Sequence, residues 1–373
     1  MLNLVRKIER ADRGGSDPRA PAEQEQTPAS CIPADAVTAD AVAADVVTAD
    51  EKMADAVTAQ ETAAGPDPDL ASDVLAGLAK PQKALSSRFL YDARGSELFE
   101  QITREPEYYP TRTEIAMLEN HAQDITAGTR KDSALVEFGS GSSRKTEILL
   151  KALPDLGLYV PLDISATALD DAARRLAVNF PRLPVRPVVG DFASASVELP
   201  PEARQKPRLG FFPGSTIGNF APEEAMALLR NFARMLGRDG RLVIGADLKK
   251  NVPMLIRAYS DANGVTAAFN LNLLVRLNRE LGADFDVDAF YHLALYNSGA
   301  GRMESHLVAK KEQSVSLLGR RYHFARGERI HTESSYKYEV NEFKQLAAAA
   351  GWQGKTCWVD DNDLFSIHEL SVL

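Results

Sequence analysis

The sequence predicts an α/β fold built on a parallel, doubly wound sheet, and three observations predict it. Short apolar runs alternate with helical stretches between Leu135 and Asp247. The first of these runs ends in a glycine turn, Gly139-Ser140-Gly141. Acids close the later runs at Asp163, Asp191 and Asp247, where a wound sheet presents its ligand-binding edge.

The elements follow in order. From Ser16 to about Asp69 the 373-residue chain is rich in Ala, Asp, Pro and Thr and carries a five-residue repeat, from Ala34-Asp-Ala-Val-Thr to Ala54-Asp-Ala-Val-Thr. A period of five matches neither helix nor strand, so its valines cannot share a face. With no aromatic residue in the repeat, residues 1–78 read as a solvated, disordered extension. Met1–Arg10 lacks the long apolar core of a secretory signal, although a short amphipathic helix is open there. The folded part is expected from near Leu70. Glu105-Pro-Glu-Tyr-Tyr-Pro-Thr-Arg112 reads as a rigid extended loop between two prolines, its tyrosines either core anchors or hydroxyl donors. A helix over Thr113–His121 leads to the first strand, Leu135–Phe138.

Gly139 and Gly141 permit a tight turn and close backbone approach. Ser142 or Ser143 can cap the helix that starts near Arg144. Strand, turn and helix N-terminus together form a cradle for a nucleoside-bearing ligand. Arg144 stands where a dinucleotide fingerprint has its third glycine, which counts against NAD or FAD. The next strand, Gly157–Leu162, ends at Asp163, placed to accept ribose hydroxyls. Ser165 caps a helix to Asn179. Val185–Val189 is a third strand ahead of Asp191, which can accept from an adenine amino group, and Phe192, which can pack on the adenine face. Arg208–Phe212 and Arg241–Ala246 are further strands, separated by a helix over Pro222–Leu236 with proline in its first turn and Gly237 at its end.

Asn251 to about Gly282 reads as two helices broken at Asn263-Gly264. The runs Phe290–Tyr296, Arg302–Ala309 and Ser314–Leu318 suggest antiparallel hairpins, an insertion that makes a lid or second domain. A helix over Asn341–Ala350, capped by Asn341, precedes two final strands, Lys355–Val359 and Phe365–Leu370, expected to complete the sheet as a hairpin.

Composition bounds the function. The chain is 45% hydrophobic with a formal net charge of −9, which argues against nucleic acid as partner. Residues 34–60 carry −5 of that charge and the rest about −4. Cys31 and Cys357 stand far apart, which favours a reducing cytoplasm. No run suits a transmembrane helix. The six histidines show no paired metal-ligand spacing, so no metal is expected.

Tyr91-Asp-Ala-Arg-Gly-Ser, Pro106-Glu-Tyr-Tyr-Pro-Thr-Arg, Glu137-Phe-Gly-Ser-Gly-Ser, Phe212-Pro-Gly-Ser-Thr-Ile-Gly-Asn-Phe and Ile330-His-Thr-Glu agree in order and spacing with one family. From about Ala79 to the C-terminus the chain resembles the L-histidine Nα-methyltransferases of ergothioneine biosynthesis. The resemblance implies a Rossmann-like class I methyltransferase sheet, residues 114–248 and 338–373, and a smaller substrate-binding domain, residues 79–113 and 249–337. It implies an enzyme that takes three methyl groups from S-adenosylmethionine onto the α-amino group of histidine, giving hercynine; a cytoplasmic monomer is expected. The extension has no counterpart in that pattern.

Residue by residue, the resemblance assigns Gly139, Ser140, Gly141, Lys145, Asp163, Asp191 and Phe192 to the donor, with Lys145 facing the methionyl carboxylate. Tyr108, Asn219 and Tyr259 hold the substrate's carboxylate and amine. Tyr91 and Phe99 lie near the methylated nitrogen, and Tyr91 and Asn219 are the expected catalytic pair. Met303, Glu333 and Ser335 form the imidazole end, where Ser334-Ser335-Tyr336 departs locally from the family pattern. The chemistry fits: in-line transfer from a sulfonium depends on alignment, and aromatic faces tolerate a methylammonium charge. Read without the resemblance, the same tyrosines serve as core residues, Glu333 as a surface acid and Met303 as packing. Rival functions are a methyltransferase acting on another amino acid such as a tryptophan derivative, a nicotinamide-dependent dehydrogenase, and a non-catalytic sensor of S-adenosylmethionine.

Overall fold

A computed structural model describes residues 69–141 and 144–373. The extension before residue 69, with its repeat, Cys31 and the Met1–Arg10 segment, and the choice of Ser142 or Ser143 as a cap lie outside the described residues.

The main sheet has seven strands: β1 (Ala134–Phe138), β2 (Leu158–Asp163), β3 (Val188–Val189), β4 (Arg208–Phe212), β5 (Arg241–Asp247), β11 (Trp352–Val359) and β12 (Phe365–Val372). Their order is β3-β2-β1-β4-β5-β12-β11. β1 pairs in parallel with both β2 and β4, and β4 with β5. β12 runs antiparallel to β5 and β11. This is the doubly wound, Rossmann-like sheet the alternation predicts. β1 is buried along its whole length because helices cover both faces.

The period of two sorts β1 between the two cores. Leu135 faces α3 (Tyr109–Thr126) and α4 (Arg144–Lys151), with Met117, Leu118, Leu149 and Leu150 packed beneath the sheet. Ala134, Val136 and Phe138 face α7 (Pro222–Leu236) and α10 (Val340–Ala349). There Phe138 stacks on Phe232 at 3.8 Å, and the buried Trp352 indole donates to the Leu229 carbonyl at 2.9 Å. The remaining helices around this sheet are α5 (Ala166–Asn179), capped by Ser165 as expected, whose Leu176 joins the core of α3 and α4, and the short α6 (Pro201–Arg204), whose Ala203 joins that of α7 and α10.

A third core lies around the smaller antiparallel sheet. It joins α1 (Leu70–Leu78), α2 (Ala93–Ile102), α9 (Val265–Leu281) and strands β6 (Phe290–Asn297), β7 (Arg302–Ala309) and β10 (Arg329–Tyr336). These strands form an antiparallel sheet in the order β10-β7-β6, and β8 (Gln313–Leu317) pairs with β9 (Arg320–Phe324). α8 (Val252–Ala258) leads into this part of the fold from β5. Leu70, Val74 and Leu78 are buried in its core, so ordered structure begins ahead of residue 79.

Several local expectations need correction. The Pro106-Glu-Tyr-Tyr-Pro110 stretch is not an extended loop: Tyr109 and Pro110 open α3, where proline's missing N–H and fixed φ are tolerated. β3 has two residues rather than five, because Pro184 and Pro187 interrupt the ladder and Val185 makes only an isolated bridge to Tyr159. α10 is capped by Glu339 rather than Asn341, with the Glu339 amide donating to the Glu342 carboxylate at 2.9 Å. β9 was not foreseen. Arg320, Arg321 and His323 are exposed, and only Tyr322 and Phe324 turn inward.

Candidate active site

The carboxyl ends of β1, β2 and β3 bring the expected donor residues together. Gly139 and Gly141 have φ of +74° and +43°, values that L side chains rarely adopt. Ser140 is buried between them. A Cβ on Gly139 would sit 3.3 Å from the Phe192 ring, whereas Gly141 faces open space. That contact joins the turn after β1 to the residue following Asp191. The Asp163 carboxylate accepts from the amides of Gly141 at 3.2 Å and Ser165 at 3.0 Å, and Asp191 accepts from Ala193 at 2.8 Å. Phe192 is held edge-on against Phe212 at 5.4 Å. A cradle with positive φ, an apolar ring beside it and two acids at adjacent strand ends suits a nucleoside.

Lys145 takes a more specific place than the resemblance implies. Its ammonium lies 2.6 Å from Glu114 of α3, and Glu114 also accepts from the Gly214 amide at 2.9 Å. Glu114 is 1% exposed. One carboxylate therefore ties α3, α4 and the turn after β4 together beside the cradle.

The other half of the site is aromatic. Tyr91 packs edge-to-face on Phe99 at 5.5 Å, Phe99 on Tyr108 at 6.3 Å, and Tyr108 on Tyr259 at 6.3 Å. Tyr91 follows a 3-10 turn over Ser87–Leu90, Phe99 rides on α2, and Tyr108 and Tyr259 occupy the cap positions of α3 and α8. Burial raises the hydroxyls of Tyr91, Tyr108 and Tyr259 well above the usual phenol range, and the nearby Glu333 carboxylate raises each further. All three remain O–H donors at neutral pH.

Glu333 and Ser335 share one face of β10. Burial pushes the Glu333 carboxyl up to about 7, against the pull of Lys337. Met303 of β7 stands opposite Ser335 in the register and is 1% exposed. Asn219 ends the 3-10 turn Thr216–Asn219. A Cβ on its neighbour Gly218 would approach the Tyr336 carbonyl to 2.7 Å and Ser335 Oγ to 3.5 Å, so this turn is pressed onto β10. The structure thus brings Tyr91, Phe99, Tyr108, Tyr259, Met303, Glu333, Ser335 and Asn219 into one region.

Four residues beneath it were missed. The Asp247 carboxylate, fully buried at the end of β5, accepts from the Tyr109 hydroxyl at 2.9 Å and pairs with Lys337 at 2.7 Å and with Lys250. Burial opposes the ionised form of Asp247, but Lys337 and Lys250 hold it below the usual carboxylate range. Burial lowers Lys250 to about 8, with Asp247 resisting. The signal for Lys337 was available: it continues the period of two through Glu333 and Ser335. Asp247 was noted only as a strand end, and nothing local in sequence singles out Tyr109 or Lys250. Among the described residues no cluster of three or more His, Cys, Asp or Glu can hold a metal ion.

Residues 70–372 match the family described as histidine-specific, S-adenosylmethionine-dependent methyltransferases. A histidine N-alpha-methyltransferase of Mycolicibacterium smegmatis is 43% identical over 296 residues, covering 78% of this chain and 91% of that protein. Ergothioneine biosynthesis protein 1 of Neurospora crassa is 29% identical over 296 residues, 78% of this chain and 33% of its own length. A 4-dimethylallyltryptophan N-methyltransferase of Epichloe festucae var. lolii is 28% identical over 326 residues, covering 80% and 94%.

Proposed function

The chain belongs to the family of histidine-specific, S-adenosylmethionine-dependent methyltransferases, and from that premise we propose how its residues divide the reaction. The enzyme methylates histidine, and our reading carries the reaction to three methyl groups on the α-nitrogen, the product hercynine and the pathway of ergothioneine. The observation that carries it is the meeting of Glu333, Ser335 and the Tyr91–Phe99–Tyr108–Tyr259 series in one region.

S-adenosylmethionine supplies a methyl group activated by a sulfonium. Gly139, Ser140 and Gly141 give the close backbone approach its nucleoside needs, Asp163 takes the ribose hydroxyls, Asp191 the adenine amine and Phe192 the adenine face. Lys145, fixed by Glu114, offers positive charge to the methionyl carboxylate. Across the pocket, Tyr108, Asn219 and Tyr259 hold the substrate's carboxylate and amine. Glu333, Ser335 and Met303 receive the ring. Tyr91 and Phe99 face the nitrogen being methylated.

Alignment supplies much of the rate of such a displacement. Tyr91 and Asn219 act by orienting the amine, since the Tyr91 hydroxyl stays protonated and cannot serve as a base. The amine loses its proton to water before each transfer. The aromatic faces stabilise the cation that remains after the third. A cytoplasmic monomer working on free histidine, apart from nucleic acid and membrane, completes the reading.

Incubating the protein with S-adenosylmethionine and histidine and reading the product by mass spectrometry tests this. Successive gains of one, two and three methyl groups are expected. No gain on histidine, or turnover of a tryptophan derivative in its place, overturns it.

A further inference from the structure

Tyr91 is held by its ring and not by its tip. The ring packs edge-to-face on Phe99 at 5.5 Å and on Phe269 of α9 at 5.4 Å. Among the described residues no hydrogen bond reaches its hydroxyl. Where the ring points is then set by the chain on either side of it, and α9 grips both sides. Phe269, Asn272, Arg276 and Arg279, spaced by three and four, share one face of that helix. Before the tyrosine, Arg276 donates to the Phe89 carbonyl at 3.1 Å. After it comes Asp92, whose side chain is 6% exposed. Asp92 Oδ1 accepts from the Gly95 amide and from Asn272 Nδ2, each at 2.7 Å, and Oδ2 accepts from Arg279 at 2.7 Å. Glu280 pairs with both arginines. Gly95 completes the joint, since a Cβ there would meet the Leu90 carbonyl oxygen at 1.7 Å. The stretch Tyr91-Asp-Ala-Arg-Gly-Ser96 is thus a pocket ring followed directly by its anchor.

We propose that Asp92 is a positioning residue for methyl transfer: by locking the start of α2 onto Asn272 and Arg279, it aims the Tyr91 hydroxyl at the amine. Displacement at a sulfonium needs its atoms aligned, and a misplacement of about 1 Å can cost up to about a hundredfold in rate. A Tyr91 ring free to swing therefore slows the transfer while both ligands still bind. The two oxygens of Asp92 have separate tasks. Asparagine at this position keeps Oδ1, with its bonds to Gly95 and Asn272, and turns an NH2 toward Arg279, donor against donor. Arg279 retains Glu280, so no charge is stranded. Asp92→Asn thus cuts one tie and spares the helix cap.

The inference rests on the reading of Tyr91 as facing the methylated nitrogen, and its test separates the two. kcat and both KM values are measured for wild type, Asp92→Asn, Tyr91→Phe and the double variant, with thermal melts to show that each is folded. Asp92→Asn is expected to lower kcat about tenfold and to leave KM for histidine and for S-adenosylmethionine within about twofold. In the Tyr91→Phe background there is no hydroxyl to aim, so adding Asp92→Asn should cost less than about twofold more. A merely structural aspartate would cost the same factor in both backgrounds. Arg279→Lys keeps a cation facing Oδ2 and should retain more rate than Arg279→Met. Should Asp92→Asn fail to melt cooperatively, Arg279→Met, which cuts the same tie from α9, takes its place in the comparison. Losses that multiply in the double variant, or a folded Asp92→Asn with the wild-type kcat, overturn the inference alone. A Tyr91→Phe variant with the wild-type kcat overturns the reading of Tyr91 and the inference with it.

Discussion

Replacing Glu333 by glutamine should weaken histidine binding and strengthen the unliganded fold at once. The side chain keeps its shape and an acceptor oxygen but loses its charge. Burial raises the carboxyl from 4.5 to about 7. At roughly 1.4 kcal/mol per pH unit, its ionised form costs the empty fold no more than about 3.5 kcal/mol. The sign follows from linkage: a raised carboxyl contributes its stability below the unfolded value near 4.5, and loses it as pH rises through about 7. At pH near 8 Glu333→Gln should therefore melt a few degrees above wild type, and near pH 4 the two should coincide. Binding runs the other way. A hydrogen bond to a charged group is worth about 1.5–3 kcal/mol against about 0.5–1.5 for a neutral one, so loss of the charge alone should lower histidine affinity about tenfold. The donor edge is untouched, and S-adenosylmethionine affinity should hold. Calorimetric titration of each ligand and thermal melts at both pH values decide it. Unchanged histidine affinity refutes the placement of the ring at Glu333. A variant no more stable than wild type near pH 8 refutes the electrostatic argument.

Two more outcomes follow from the donor side. Burial raises the Glu137 carboxyl to about 8, while hydrogen bonds from Thr146 and Tyr159 pull it down; this stability is full below 4.5 and is lost as pH rises through about 8, so urea midpoints of wild type should fall toward alkaline pH and Glu137→Gln should flatten the decline. Gly139→Ala forces a side chain onto a φ of +74° and places its Cβ 3.3 Å from Phe192; with strain of about 1–2 kcal/mol, calorimetry should show S-adenosylmethionine affinity falling about tenfold and histidine affinity holding.

Much of this architecture is legible in the sequence because the physics that sets it is local. β4 and α7 span the residues that periodicity, a first-turn proline and a terminal glycine mark out. The acids at Asp163 and Asp191 stand where strand-to-helix alternation puts a ligand edge. What escaped depends on contacts distant in the chain. Tyr109 and Asp247 are 138 positions apart yet share a hydrogen bond. Glu114 and Gly214 are 100 apart. The Pro106-Glu-Tyr-Tyr-Pro110 stretch misled because proline stiffens a loop and starts a helix equally well, and only packing chooses between them. The site residues drawn from the resemblance needed motifs from separate parts of the chain, since a lone tyrosine or methionine says nothing about what it faces.

β12 lies inside the main sheet, although it is made long after its neighbour β5: Phe365 pairs with Asp247 and Ser371 with Arg241. While the ribosome is still adding residues beyond Asp247, β5 offers an uncovered row of amides and carbonyls, the template on which strangers dock edge to edge. A nascent chain must keep that seam guarded for more than a hundred residues of synthesis. The Asp247 carboxylate, at the end of that seam, is therefore among the last groups of the fold to be closed off from water.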